Sequence, residues 1–318
     1  YAHSYQFSQD RKEVTLAPFA LIWESRDGKS LKTVVSNTAT VELDTPFVSI
    51  NNNKPSRVIR ARIEGDVVLR DTKGTRIEED DLIVGPLTHL TFDDQNLQVV
   101  TDSPITIRDR NMWLTAVGLK IDLWPKAVES SATASFDGAK TAWLEKDVHI
   151  FVNDGGKTAI LPGAAVAKNQ GATAASAPAP GSQIPIDLRA SGPMRIDLPR
   201  PRGPKPPGET ADPPAPTLVQ FYRNVIVRRG NELPDQLNCD TLRLVLVSED
   251  RPTTKSKAET KPDSNAVAAA KAAKDGTNPP ESGAGTGGDG PLRDLALKRV
   301  DATGHAVWLQ SPDKGIKT

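Results

Sequence analysis

The chain has 318 residues, with forty basic side chains balancing forty acidic ones, so overall charge points to neither nucleic acid nor an anionic membrane surface as a partner. Hydrophobic residues make up 37%, and 26 prolines with 23 glycines exceed ordinary usage, so part of the chain is expected to lack a packed core. A single cysteine closes no intrachain disulfide, and no apolar run reaches the ~18–20 residues that cross a bilayer as a helix.

From its start at "YAHSYQF" the chain carries no secretory signal pattern and no initiator methionine, and a fragment of a longer product is expected. Short strands with period-two alternation then recur between turn residues. "ARIEGDVVLRDTKG" places Ile63, Val67 and Leu69 on one face, with Arg62, Glu64, Asp66 and Arg70 on the other. "TDSPITIRDRNMWLTAVGLKIDLW" gives Ile105 and Ile107, a polar turn at Asp109 to Asn111, and a second strand carrying Trp113, Val117, Leu119, Ile121 and Leu123. Gly118 marks a bulge or bend in it. "LEKDVHIFVNDGG" gives Val148, Ile150 and Val152, with His149 opposite and a turn at Asn153 to Gly156.

Residues 163–183 are small and polar and read as a linker. A second β segment is expected over 184–248, interrupted at 199–217 by a stretch with eight prolines in nineteen residues. "FYRNVIVRRG" puts Phe221, Val225 and Val227 on one face. "DQLNCDTLRLVL" follows. Strict alternation there sends Leu242, Leu244 and Leu246 one way and Cys239, Arg243 and Val245 the other, with Asp240 where the strand begins. Residues 249–290 contain no aromatic side chain and read as a disordered linker, because they cannot bury enough surface to offset about 1–2 kcal/mol of ordering entropy per residue. "RVDATGHAVWLQS", within 291–318, starts further strands. Residues 1–162 form the first β segment on this reading. No capped amphipathic helix is present, so the fold class is all-β, antiparallel, with one apolar and one polar face.

A weak repeat links the segments. "IEGDVVLRDTKGTRIEEDDLIV" and "YRNVIVRRGNELPDQLNCDTLRLVL" share a polar start, an apolar strand, a charged turn and a second apolar strand, and "EKDVHIFVNDGG" starts the same way. Stacked units that bury one another's apolar faces explain such a pattern.

Catalytic and metal signatures are weak. Cys239 has Asp240 beside it, the wrong charge to lower a thiol pKa, so it reads as a small hydrophobe. The acidic runs Glu78 to Asp81 and Asp93–Asp94 lack the ligand spacing of a calcium loop and read as solvated turns. His149 and His305 have no second metal ligand at close spacing. Trp23, Trp113, Trp124, Trp143 and Trp308 read as core or sheet-end residues, with a sugar-stacking surface as the alternative. No phosphate loop, dinucleotide fingerprint, HExxH or GxSxG occurs. No cofactor, metal site or catalytic residue is expected.

Several phrases resemble the lipopolysaccharide-transport family of OstA-like β-jellyroll proteins. Gly65–Asp66–Val67 and Arg223–Asn224–Val225 are similar to its "G-N-V" strand starts, and Cys239–Asp240–Thr241–Leu242 to its "A-D-x-L" strand. "VVTDSPITIRDRNMWLTAVGLKIDL" resembles the membrane-tethered member, and the similar parts cover about half the chain. The resemblance implies a curved, partly open jellyroll (a β-taco) whose groove shields acyl chains of lipopolysaccharide or another glycolipid. It implies a non-enzymatic envelope-bridging role in the periplasm of a Gram-negative-type bacterium. It further implies pairing of edge strands with other jellyroll components, or with a second copy as a homo-oligomer. The candidate lining is Ile63, Val67, Leu69, Val148, Ile150, Val152, Val225, Val227, Leu242, Leu244 and Leu246. The competing readings are a structural or glycan-binding β-sandwich of the cell envelope, and a hydrolytic enzyme with a convergent acid pair.

Overall fold

The computed structural model describes residues 1–24, 30–48, 56–72, 80–126, 136–154, 184–200, 215–248, 295–312 and 316–317. The expected linkers 163–183 and 249–290, and most of the 199–217 insertion, lie outside the described residues. All regular structure among the described residues is β-strand, as the alternation requires. The first strands are β1 (Ala2–Phe7), β2 (Glu13–Glu24), β3 (Leu31–Ser36), β4 (Thr38–Leu43), β5 (Val58–Thr72) and β6 (Leu82–Asp93). Then come β7 (Gln98–Asp109), β8 (Met112–Pro125), β9 (Phe136–Asp154), β10 (Ile184–Ala190) and β11 (Met194–Asp197). Last are β12 (Thr217–Arg229), β13 (Asp235–Ser248), β14 (Leu295–Thr303), β15 (Trp308–Ser311) and β16 (Ile316–Lys317).

They form one antiparallel sheet in nearly sequential order, β1-β2-β3-β5-β6-β7-β8-β9-β10-β12-β13-β15-β16. The two expected β segments are joined within it, since β9 pairs with β10 along Ile184–Ala190. The three short strands off that path complete bent neighbours. β4 extends β3 between β2 and β5, β11 extends β10 between β9 and β12, and β14 with β15 lies along β13.

Each long strand bends at its middle, and the bends line up across the sheet as a crease. In β5 the backbone turns left-handed at Gly65 and Asp66, in β9 at Asp147, and in β12 at Arg223 and Asn224. Asp and Asn tolerate this region better than other side chains because their short polar groups hydrogen-bond locally. Each of these bends is followed by a fully buried valine, Val67, Val148 or Val225. The strands β5, β7, β9 and β12 all run the same way, and at the crease each carries one residue more than the strand after it or, in β9, the strand before it. The Asp/Asn–Val phrase of the sequence repeat is therefore the crease itself. Neighbouring bends are stitched together: Asn37 N–H donates to the Gly65 carbonyl (2.9 Å), and Ser191 and Gly192 N–H donate to Arg223 and Tyr222.

Two wings rise from the crease, and cross-strand partners share a face. One wing carries an aliphatic row through Val34, Leu69, Val84, Ile107 and Leu114, partner to partner. That row continues through Ile150, Leu188, Val227, Leu237 and Leu309. The other wing carries Val41, Ala61, Phe92, Val99 and Ile121, continuing through Ala142, Ile196, Val219, Leu244 and Val300. Buried residues of both wings belong to a single hydrophobic cluster. No helix or second sheet among the described residues covers it, so the sheet must fold over on itself.

One expectation is corrected here. Cys239 does not point away from Leu242. Both are buried in the same cluster, three residues apart, because β13 crosses the crease at Asp240–Thr241 and its alternation resets there. Asp240 thus lies mid-strand, where its carboxylate accepts the His305 backbone N–H at 2.8 Å across the break between β14 and β15.

Candidate functional site: an apolar groove between two wings

All eleven residues singled out from sequence face the interior and belong to, or pack against, the one cluster. Their depth differs. Val67, Val148, Val225, Val227, Leu242 and Leu244 are buried, whereas Ile63, Leu69, Ile150, Val152 and Leu246 are half-buried. Val67, Leu87, Ile105, Val148, Val225 and Cys239, lowest on their wing, are all at most 4% exposed.

The second row above the crease separates two stretches. In β12 and β13 it is closed on both wings, with Val219 and Leu244 at 4% and 7% and Val227 and Leu237 at 0% and 4%. From β5 to β9 it is open. Leu69, Val84, Ile107 and Ile150 are half-buried on one wing, Leu114 excepted, and Ala61, Phe92, Val99, Ile121 and Ala142 are half-buried on the other. Phe92, Ile121 and Ala142 do not join the central cluster.

Polar groups interrupt this lining at one place near the crease. Thr101 and Ser103 of β7 are buried, and they satisfy each other and Thr88. Thr101 Oγ1 donates to Ser103 Oγ at 3.0 Å, and the Thr88 and Ser103 hydroxyls lie 2.6 Å apart. Between β6 and β7 the ladder is interrupted from the Val84–Ile107 pair to the Thr91–Val100 pair, and on either side of that gap the wall backbones pair strand to strand. Such a surface offers hydrocarbon contact and little hydrogen bonding.

Sequence reasoning missed much of this lining. Leu87 and Leu90 of β6 both face inward but stand three residues apart across a bend, so no period-two pattern marks them. Ala116 and Leu119 of β8 are split in the same way around Gly118, whose φ of 77° confirms the expected bend. Ile186, Leu188 and Ala190 of β10 alternate cleanly, and that signal was there to be used.

The other candidates are settled by their surroundings. Burial pushes the Cys239 thiol up to about 11, and the Asp240 carboxylate adds to this, so the thiolate is disfavoured at neutral pH. The expectation of solvated turns fails for Asp81 and Asp94. Both are buried, Asp81 against Arg70 Nε at 2.6 Å and Asp94 against Arg57, because a paired guanidinium offsets the loss of water. Glu78 and Glu79 lie outside the described residues. Asp93 does serve as a turn residue, accepting the Gln95 and Asn96 N–H groups. No cluster of three or more His, Cys, Asp or Glu side chains suited to a metal ion occurs among the described residues.

The tryptophans lie outside the hydrophobic cluster, and Trp23, Trp113, Trp124 and Trp308 stand at strand ends, the second of the two expected placements. Trp23 and Trp113 are exposed, while Trp124 and Trp143 have cationic side chains over their rings, Lys140 and Arg200 over the first and Arg195 over the second. On the outer face Trp113 pairs across strands with exposed Phe151 and meets His149 edge-on at 5.2 Å. His149 Nε2 lies 3.0 Å from Asp187, which Arg189 also grips.

No helix among the described residues is long and apolar enough to cross a membrane. Comparison with protein-family models, with curated proteins and with solved structures finds no match for this chain.

Proposed function

We propose that this chain is a non-enzymatic lipid-transport or envelope-bridging protein of the OstA-like type, whose groove shields the acyl chains of a lipopolysaccharide-like glycolipid. The observation that carries the reading is the pair of aliphatic rows, one on each wing, half-buried from β5 to β9 except at Leu114.

The chemistry selects the occupant. A peptide laid between these walls would bury backbone N–H and C=O groups with no partner, at a cost of several kcal/mol per group. A hydrocarbon chain has no such groups and gains about 0.8 kcal/mol per buried methylene. Dimensions agree. Five strands at ~4.8 Å spacing span about 19 Å along the crease, and arms of about six residues at ~3.3 Å rise about 20 Å. One lipid leaflet holds chains of about 15 Å, half of a ~30 Å hydrocarbon core. On this reading the chain works in the periplasm between two membranes, and neighbouring jellyroll units or a second copy add at its edge strands. The work of transport is done by an energy source elsewhere.

Photo-crosslinking side chains placed at Leu69, Ile107 and Ile150 are expected to capture glycolipid in an intact envelope. Failure at every inward position would sink the reading.

A second reading draws on the exposed Trp113–Phe151 pair of the outer face, which has the form of a sugar-stacking platform. Glycan-array binding that disappears in Trp113→Ala would favour it, and lipid co-purifying with that same variant would favour the groove.

A further inference from the structure

Resting on that lipid reading, we propose that the groove has one closed end: acyl chains lodge between the wings from β5 to β9 and stop at a plug formed where β12 and β13 cross the crease. The plug is Phe221, Val225 and Leu242 at the base, capped by Val219, Val227 and Leu244.

Three observations carry this. First, the same two rows run through both stretches in register, so the change from half-buried to buried is a change in filling and not in which face is presented. Second, the filling comes from the chain itself, since Phe221, Val225, Val227 and Leu242 are at most 1% exposed with only protein around them. Third, the buried stretch is off-centre. In a sheet that simply lost exposure toward its middle, β6 to β9 would be the most buried strands, yet the second row there is half-buried at every position but Leu114 and is closed on both wings at β12 and β13.

The side chains explain the difference. The closed stretch pairs Phe221 with Leu242 and Met194 in the first row of its wing. At the same height in the open stretch this row carries Thr101 and Leu119, side chains smaller than a phenyl ring. An interior packed to ordinary protein density has no room for a hydrocarbon chain. The groove is therefore a pocket that holds its lipid against a stop, and chains leave by the route they came or across the open wing tips.

The wild-type chain tests this without substitution. The probe is an acylated glucosamine disaccharide carrying a diazirine at the tip of one hydrocarbon chain, photolysed in complex with the full chain and mapped by peptide mass spectrometry. Adducts are expected on inward residues such as Leu69, Ile107 and Ile150, with yield at Val219, Val227 and Leu244 at background. Equal labelling of both stretches would overturn the closed end and leave the lipid reading intact. Labelling of no inward residue would overturn the lipid reading, and the stop with it. A Phe221→Ala, Leu244→Ala double variant that still gives the wild-type strand signature is expected to extend labelling to Val227 and Leu237. Unchanged labelling in that folded variant would show that these side chains are not the stop.

Discussion

The stretch from β5 to β9 and the pair β12–β13 are built from the same parts. Both cross the crease through an Asp or Asn in left-handed conformation followed by a buried valine, and both carry aliphatic rows on facing wings. They differ in what occupies the space between the rows. In β12–β13 the walls meet and Phe221 fills the base, while from β5 to β9 the second row stays half in solvent. One backbone plan thus gives a buried second row in one place and a half-buried one in another.

Truncations should expose that difference most sharply. Phe221→Ala removes a ring that is 1% exposed, and a loss of about 3–5 kcal/mol is expected in denaturant unfolding. Ile107→Ala, in the half-buried row, should lose only about 1–2 kcal/mol, because less of the side chain leaves water on folding. Equal losses would mean that the open stretch is core after all.

The crease comes next in size. At Gly85 φ is 118°, and an added Cβ would stand 2.5 Å from the Val67 carbonyl oxygen, so Gly85→Ala is expected to cost about 2–3 kcal/mol. Asn224→Val should cost about 1–2 kcal/mol from the left-handed backbone alone, while Asn224→Gly should be close to neutral. Matching losses for the two Asn224 variants would show that the side chain, and not the backbone, sets the bend.

The smallest effect is on the outer face. Burial raises the Asp187 carboxyl, but the Arg189 hydrogen bond and charge, helped by His149, outweigh it and hold the pKa below the ordinary value. A depressed folded pKa gives stability that is present above the unfolded pKa, near 3.9, and lost as pH falls through the folded one. Asp187→Asn is therefore expected to flatten the acid limb of the stability curve below about pH 4 and leave neutral-pH lipid capture unchanged. Acid unfolding followed by circular dichroism reads this directly.

The all-β class, the antiparallel pairing and the inward faces of β5, β9 and β12 were legible because alternation is a local property and survives wherever the inward spacing stays even. At the crease the extra residue of β5, β9 and β12 keeps the inward spacing even, as in Ile63 and Val67, whereas in β6, β8 and β13 the period fails. Cys239 and Leu242 stand three residues apart on one face, as do Leu87 and Leu90, and an alternation template assigns such pairs to opposite faces. The Asp/Asn–Val repeat was visible, but its meaning was not, because a left-handed bend shows as a crease only when bends line up across strands distant in sequence. The opposing wall is non-local in the same sense. Nothing near Ile107 in the chain says that it stays half-buried, while Val227, in the same row more than a hundred residues later, is fully buried.

The central claim is that the open stretch holds hydrocarbon. Native mass spectrometry of the wild-type chain and of Ile150→Glu, each exposed to the same acylated glycolipid, tests it most directly. The account expects the wild type to carry the lipid mass. It expects Ile150→Glu to fold with the same strand signature and carry none, because a carboxylate aimed between the wings faces hydrocarbon without a partner. Lipid retained at wild-type level by the folded variant, or a wild-type chain that carries no lipid, would contradict it.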